Sequence, residues 1–257
     1  MIKAAFFDID GTLVSFKTHR MPESTKRALN RLREKGILLF VSSGRHKSSM
    51  NNLDDYPFDG YVTLNGGICW VGDEIIYKHS IPEHNIESLI RYMETVERIP
   101  CVFVEERESW MNYKDETVSE IFRLLNFPEP PFKSPNEAIG KTIYQLLAFF
   151  GKDKEKELMK VLPDCEPTRW NPLFTDIVPK GSSKRVGIMK MSDYFGISEK
   201  EIIAFGDGGN DIQMLEYAGL GIAMGNAAEE VKQSADYVTS DVDEDGIAKA
   251  LIHFGLL

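Results

Sequence analysis

Short, wholly apolar runs punctuate the first and last thirds of the chain. Ala4–Phe7, Ile37–Val41 and Tyr61–Leu64 read as strands. Between the first two, Pro22-Glu23-Ser24 opens a helical stretch that carries Leu29 and Leu32 and stops at Gly36, the residue type that tolerates a left-handed helix end. After the second run, Ser42-Ser43-Gly44-Arg45 leads into a further predicted helix, and the third run ends in Asn65-Gly66-Gly67. The last third repeats the alternation: helix 183–195 ending at Gly196, strand 202–205, helix 212–218, strand 221–224, helix 227–234, strand 237–239 and helix 246–253. Continuous apolar strands separated by helices predict a parallel sheet buried on both faces.

The middle of the chain breaks that rhythm. A long helix (83–97) is followed by two aromatic-rich strands (101–105 and 109–113), a helix (116–125) and a proline-rich break (128–135). Next come a strand (142–150), a Lys/Glu-rich helix (152–161) and two more strands (166–170 and 174–178). Paired strands in that order predict an antiparallel sheet with helices on one face. The expected fold is therefore an α/β, doubly wound, Rossmann-like core formed by residues 1–81 and 179–257, interrupted by an α+β cap over residues 82–178.

Composition narrows the field without changing this picture. The chain has 257 residues, 42% hydrophobic and 27% charged, which suits a soluble protein with two cores. Its formal charge of −10 argues against a nucleic-acid partner, because no basic stripe exists to displace counterions. Arg27, Arg31, Arg33 and Lys35 fit a solvated helix face. Cys69, Cys101 and Cys165 are far apart, without metal-ligand spacing, and read as buried free thiols of a cytoplasmic protein. No apolar run approaches the ~20 residues of a membrane span, and the N-terminus lacks a basic-then-apolar signal pattern.

The chemistry lies where the strands end. Asp8 and Asp10 leave the first strand one residue apart, followed by Gly11-Thr12. In extended chain, residues i and i+2 share a face, so the two carboxylates emerge together. That is costly unless a cation meets them. Three other predicted strands end in polar loops: Ser43-Gly44-Arg45, Asn65-Gly66, and Asp207 with Asn210 and Asp211. In a doubly wound sheet, ligands bind beyond the carboxyl ends of the strands. Pro179-Lys180-Gly181 stands where the chain returns from the insert. The loop Gly206–Asp211 lacks the spacing of a calcium-binding EF-hand.

The ordered set of acid pair, hydroxyl, lysine and acid cluster resembles the four motifs of the haloacid dehalogenase (HAD) superfamily. The insert, the Ser-Gly-Arg and Asn-Gly-Gly loops and the closing Ala223-Met224-Gly225-Asn226-Ala227 are similar to its Cof-type branch, which contains sugar-phosphate phosphatases. The resemblance implies that Asp8 is a nucleophile forming an aspartyl-phosphate and that Asp10 is the general acid and base. It also implies that Ser43 hydrogen-bonds the transferring phosphoryl group and that Lys180 bridges nucleophile and phosphate, with Lys184 four residues on as the competing register. Asp8, the backbone carbonyl of Asp10, and Asp207 would bind Mg2+, with Asn210 and Asp211 completing or bracing the ion's shell. Gly44, Arg45 and Asn65 are read as facing the substrate, although helix capping or loop bracing suits Arg45 and Asn65 equally.

The resulting expectation is a Mg2+-dependent phosphatase acting on small phosphorylated metabolites, with sugar phosphates favoured and a monomer or weak homodimer as the working form. A phosphomutase on the same scaffold and a non-catalytic metabolite sensor are the alternatives. Occupied catalytic positions argue against the sensor. In the insert, Glu105, Arg107, Trp110, Tyr113, Arg169 and Trp170 are candidate substrate contacts, but aromatic residues at strand spacing are more often core.

Overall fold

The computed structural model describes residues 1–124 and 129–257, except for the side chains of Leu124 and Trp170. In chain order, β1 (Ala4–Phe7), α1 (Glu23–Glu34), β2 (Leu38–Ser42), β3 (Gly60–Thr63), β4 (Ile68–Val71) and β5 (Glu74–Lys78) come first. The insert then supplies α2 (Glu83–Thr95), β6 (Cys101–Val104), β7 (Ser109–Met111), α3 (Glu116–Leu124), β8 (Gln145–Ala148), α4 (Lys152–Val161), β9 (Cys165–Asn171) and β10 (Phe174–Pro179). The chain closes with α5 (Lys184–Phe195), β11 (Ile202–Gly206), α6 (Ile212–Tyr217), β12 (Leu220–Ala223), α7 (Glu229–Gln233), β13 (Tyr237–Val238) and α8 (Gly246–His253). Two compact units result: residues 1–45, 50–77 and 183–257 form one, and residues 46–49 and 78–182 the other.

The first unit holds an eight-stranded sheet in the order β13-β12-β11-β1-β2-β3-β4-β5. Strand β1 lies in its interior, parallel to both β2 and β11. Both faces of β1 are buried, and its side chains alternate between two cores. Ala5 and Phe7 join Leu29, Leu32, Val41, Phe205 and Leu251 on one face. Ala4 and Phe6 join Phe40, Ile188, Met191, Ala204 and Met214 on the other. This explains why the strand shows no polar alternation. Phe6 stacks on Phe40 at 4.6 Å and Phe7 on Phe205 at 5.1 Å, which fixes the β1 register from both sides.

Two local details differ from the expected pattern. Pairing is parallel from β13 through β3, as expected, and β4 adds to that edge antiparallel to β3 because the single turn Leu64–Gly66 between them leaves no room for a crossover helix. The helix expected after Arg45 is a single 3-10 turn, Lys47–Ser49.

The second unit is built on a five-stranded sheet, β7-β6-β8-β10-β9, with antiparallel pairing throughout. Ile86, Leu89, Ile90 and Met93 of α2 recur at helical spacing and pack with Phe103, Trp110, Leu146, Ile177 and Leu158 of α4. The end of the helix expected over 116–125 and the start of the 128–135 break fall outside the described residues. Among the described residues, no helix is long and apolar enough to cross a membrane.

Candidate active site

The carboxyl end of β1 delivers Asp8 into a buried position, its backbone N–H still donating to Phe205 of β11. Lys184 meets it there. The Lys184 ammonium donates to Asp8 Oδ1 at 2.6 Å and to Asp211 Oδ1 at 2.5 Å, and its side chain is fully buried. Asp211 is equally enclosed, and its second oxygen accepts from the backbone N–H groups of Asp207 and Gly208 at 3.0 and 2.9 Å. That carboxylate therefore closes the loop after β11. Asp207 sits on the loop's outer limb, with Thr12 Oγ1 donating to its Oδ1 at 3.1 Å and Asn226 Nδ2 to its Oδ2 at 3.0 Å. Carboxylate oxygens of Asp8, Asp207 and Asp211 lie within 4.8 Å of one another.

Three acids cluster around one lysine, which bonds two of them, and their electrostatics reflect it. Burial, reinforced by Asp211 and Asp10, pushes Asp8 up to about 7 against the opposing pull of Lys184. Burial and the charges of Asp8 and Asp211 push Asp207 well above the usual carboxylate range. Burial acts to lower Lys184, but Asp211 and Asp8 together carry it above its ordinary value. With all three acids ionised, the set is two positive charges short. An all-oxygen, acid-rich donor set of this kind suits a hard divalent cation. Gly11 points the same way: at φ +85° its missing Cβ would lie 2.2 Å from Asp207 Oδ2, so glycine alone leaves the carboxylate its place.

Asp10 stands apart from that cluster. Arg45 grips it through both guanidinium edges, Nε to Oδ2 at 2.7 Å and Nη2 to Oδ1 at 2.6 Å. Such a forked pair fixes orientation as well as charge. Ser43 follows β2 and is buried; its Oγ accepts from the Arg45 N–H at 3.1 Å, which leaves the hydroxyl proton to donate. The Ser43 carbonyl accepts from Asn65 N–H, and Gly44 spans the turn between Ser43 and Arg45. Asn65 sits at φ +52° between two further left-handed residues, Leu64 and Gly66. Its side-chain oxygen accepts from Asn210 Nδ2 at 2.9 Å. Gly66 presses on the start of α5, where a Cβ would come 2.1 Å from the Ser183 carbonyl oxygen.

These contacts redistribute several expected roles. The lysine at Asp8 is Lys184, not Lys180. Lys180 is an exposed residue of the second unit, and its N–H donates to Asp164 O. The reason is the helix start: the Ser183 hydroxyl accepts from Val186 N–H, making Lys184 the first residue of α5. The Ser-Ser pair ahead of Lys184 carried that capping signal in the sequence. Asn210 turns to Asn65 rather than to the acids, and Asp10 turns its carboxylate to Arg45. Arg45 and Asn65 accordingly brace Asp10 and the Asn210 loop. Thr12 and Asn226 had no expected role, and both reach Asp207.

The sequence profile of the haloacid dehalogenase-like hydrolases matches residues 5–251. The chain belongs to that family. BT4131, a HAD subclass IIB sugar phosphatase, superposes with a TM-score of 0.94 at 45% identity, over 99% of this chain and all of that one. BT1666, a HAD phosphatase from Bacteroides thetaiotaomicron, superposes with a TM-score of 0.91 at 37% identity, over 100% of this chain and 96% of that one. The 5-amino-6-(5-phospho-D-ribitylamino)uracil phosphatase YitU of Bacillus subtilis (strain 168) is 30% identical over 95% of this chain and 94% of its own length.

In the second unit of this hydrolase, the residues considered for substrate contact are engaged locally. Trp110 is buried and stacks on Phe103 at 4.4 Å, with Nε1 donating to Glu105. Arg169 donates to the carbonyls of Phe150, Asn171, Pro172 and Phe174 and pairs with Glu155, stapling the β9–β10 hairpin. The Tyr113 hydroxyl donates to Arg98 O. Arg107 is exposed and pairs loosely with Glu106 at 3.6 Å. The Trp170 side chain lies outside the described residues.

Proposed function

We propose that this hydrolase is a Mg2+-dependent phosphatase of small phosphorylated metabolites, with sugar phosphates as its substrate class. One observation carries the reading: three clustered carboxylates, two of them bonded to a single buried lysine, stand at the carboxyl ends of β1 and β11. Its likeness to a sugar phosphatase at 45% identity and to a phosphatase of a phosphorylated ribityl compound supports the substrate class. Asp8 and Asp207 would hold the metal, with Asp211 bracing the loop beneath it. The bound ion would supply positive charge against the phosphoryl oxygens.

The remaining chemistry belongs to the chain. Lys184 holds Asp8 Oδ1 and leaves Oδ2 to attack phosphorus. The new P–O bond gives an aspartyl-phosphate as the bond to the leaving alkoxide breaks. Asp10 in its acid form gives the alkoxide its proton. The Asp10 carboxylate then takes a proton from water as that water attacks the same phosphorus, and the P–O bond to Asp8 breaks to release phosphate. Ser43 donates to a phosphoryl oxygen. Arg45 sets the rotamer of Asp10 for both transfers.

The test is phosphate release from a panel of sugar phosphates, nucleotides and p-nitrophenyl phosphate, with Mg2+ and with EDTA. Mg2+-dependent release favouring hexose or pentose phosphates is the expected result. Equal release in EDTA would overturn the metal dependence, and no release from folded, Mg2+-bound protein would overturn the phosphatase.

A further inference from the structure

Asn226, in the loop after β12, has its amide fixed at three points. Its Oδ1 accepts from the Val242 N–H at 3.0 Å. Its Nδ2 donates to the Gly11 carbonyl at 2.9 Å and to Asp207 Oδ2 at 3.0 Å. A backbone N–H can meet only an acceptor, so Val242 sets the orientation of the amide and commits both of its protons. Thr12 Oγ1 takes the other oxygen of Asp207 at 3.1 Å. Asp207 thus has one neutral side-chain donor on each oxygen, and three separate loops meet at its carboxylate.

Asp211 is held differently, by the Lys184 ammonium and two backbone N–H groups. That grip spends its charge on the protein. Neutral donors act otherwise: they lock a carboxylate's rotamer and leave its formal charge for a cation. An ammonium on Asp207 would compete with the ion.

We propose that Asn226, together with Thr12, is a positioning residue that aims Asp207 at the divalent cation. This inference rests on the metal site argued above. Partners of this kind are worth about 10–100-fold in metal affinity. Asn226 also ties the Asp8–Thr12 turn, through Gly11, to the Asp207 loop, so its loss loosens the spacing between the two acids that would hold the ion.

Isothermal titration of the full-length protein with Mg2+ tests this, using wild type, Asn226→Ala, Thr12→Val and Asp207→Asn, alongside melting temperatures in EDTA and kcat and KM across Mg2+ concentrations. Expected are measurable binding by wild type, none by Asp207→Asn, and about tenfold weaker binding by Asn226→Ala and Thr12→Val. Excess Mg2+ should restore kcat in both, with KM for the phosphate ester unchanged. A purely structural role predicts the reverse: a lower melting temperature in EDTA, unchanged Mg2+ affinity and a kcat that excess metal does not rescue. That pattern overturns the inference. Should Asn226→Ala fail to fold, the nearly isosteric Thr12→Val decides. Wild type that binds no Mg2+ defeats the metal site itself, whereas equal binding by wild type and both variants defeats only the positioning role.

Discussion

Lys184 and Lys141 each reach two acids, one lysine in each unit, under opposite conditions. Lys184 is fully buried and contacts Asp8 and Asp211 at 2.6 and 2.5 Å. Lys141 is 45% exposed and contacts Glu105 and Glu108 at 3.2 and 3.9 Å. The second unit repeats the exposed kind in Lys133–Glu108, Lys114–Glu129 and Lys154–Glu97. Exposed pairs keep their hydration and contribute about 0–1 kcal/mol. A buried pair forfeits hydration and persists only with close geometry and further donors. The first unit concentrates that cost at a few strand ends, where three acids await more positive charge than one lysine supplies. Such an imbalance is poor structural economy and sensible chemistry.

The comparison breaks most visibly at Asp8. Asp8→Asn is expected to lower turnover by at least about four orders of magnitude, measured as phosphate release; retained activity would sink the nucleophile assignment. Next come the lysines. Lys184→Met should cost about 3–5 kcal/mol in urea denaturation of metal-free protein, because two buried carboxylates lose their cation. Lys141→Met should cost less than about 1 kcal/mol. Similar losses for the two would erase the distinction between the units.

A smaller contrast uses two glycines with left-handed backbones. Gly66 at φ +86° has the Ser183 carbonyl 2.1 Å from its missing Cβ, whereas Gly140 at φ +75° has nothing within 4 Å. Gly66→Ala should cost about 2–4 kcal/mol and Gly140→Ala about 1–2 kcal/mol, by chemical denaturation.

The smallest expected effect is the pH dependence. The carboxyl of Asp8 moves from 3.8 when unfolded to about 7 when folded. Between these values the metal-free native state holds a proton that the unfolded chain has released, so the Asp8 contribution to stability is complete below about pH 4 and is lost as pH rises through about 7. EDTA-treated wild type should therefore lose a few more degrees of melting temperature between pH 5 and pH 8 than Asp8→Asn does, and Mg2+ should cancel the excess. Equal slopes would contradict the assignment.

Features governed by local pattern were legible in the sequence. Ala4–Phe7 shows its apolar character directly because both faces of β1 are buried, and Asp8, Asp10 and Asp207 follow their strands without ambiguity. The sequence reading failed where a decision of a few residues depended on capping or on distant partners. Lys180 and Lys184 differ by one helical turn, and only the Ser183 cap separates them. Nothing in the order of residues says that Arg45 will fork onto Asp10, or that Asn226 will reach a glycine carbonyl 215 positions away. The β4–β5 extension was missed because Ile68–Val71 follows a glycine pair that reads as a loop, and its strand character comes from pairing with β3.

The topology also sets an order of assembly during synthesis. Strand β1 gains its neighbour β2 early, but its other edge awaits β11 at residues 202–206. A ribosome adding about 5–20 residues per second delivers every strand of the five-stranded sheet before that second neighbour. The insert can mature while the core remains half built, with the apolar edge of β1 unpaired and Asp8 without the lysine that neutralises it. For this family architecture, the nascent chain's exposure to chaperones and to aggregation is therefore governed by the length of the insertion as much as by the composition of the core.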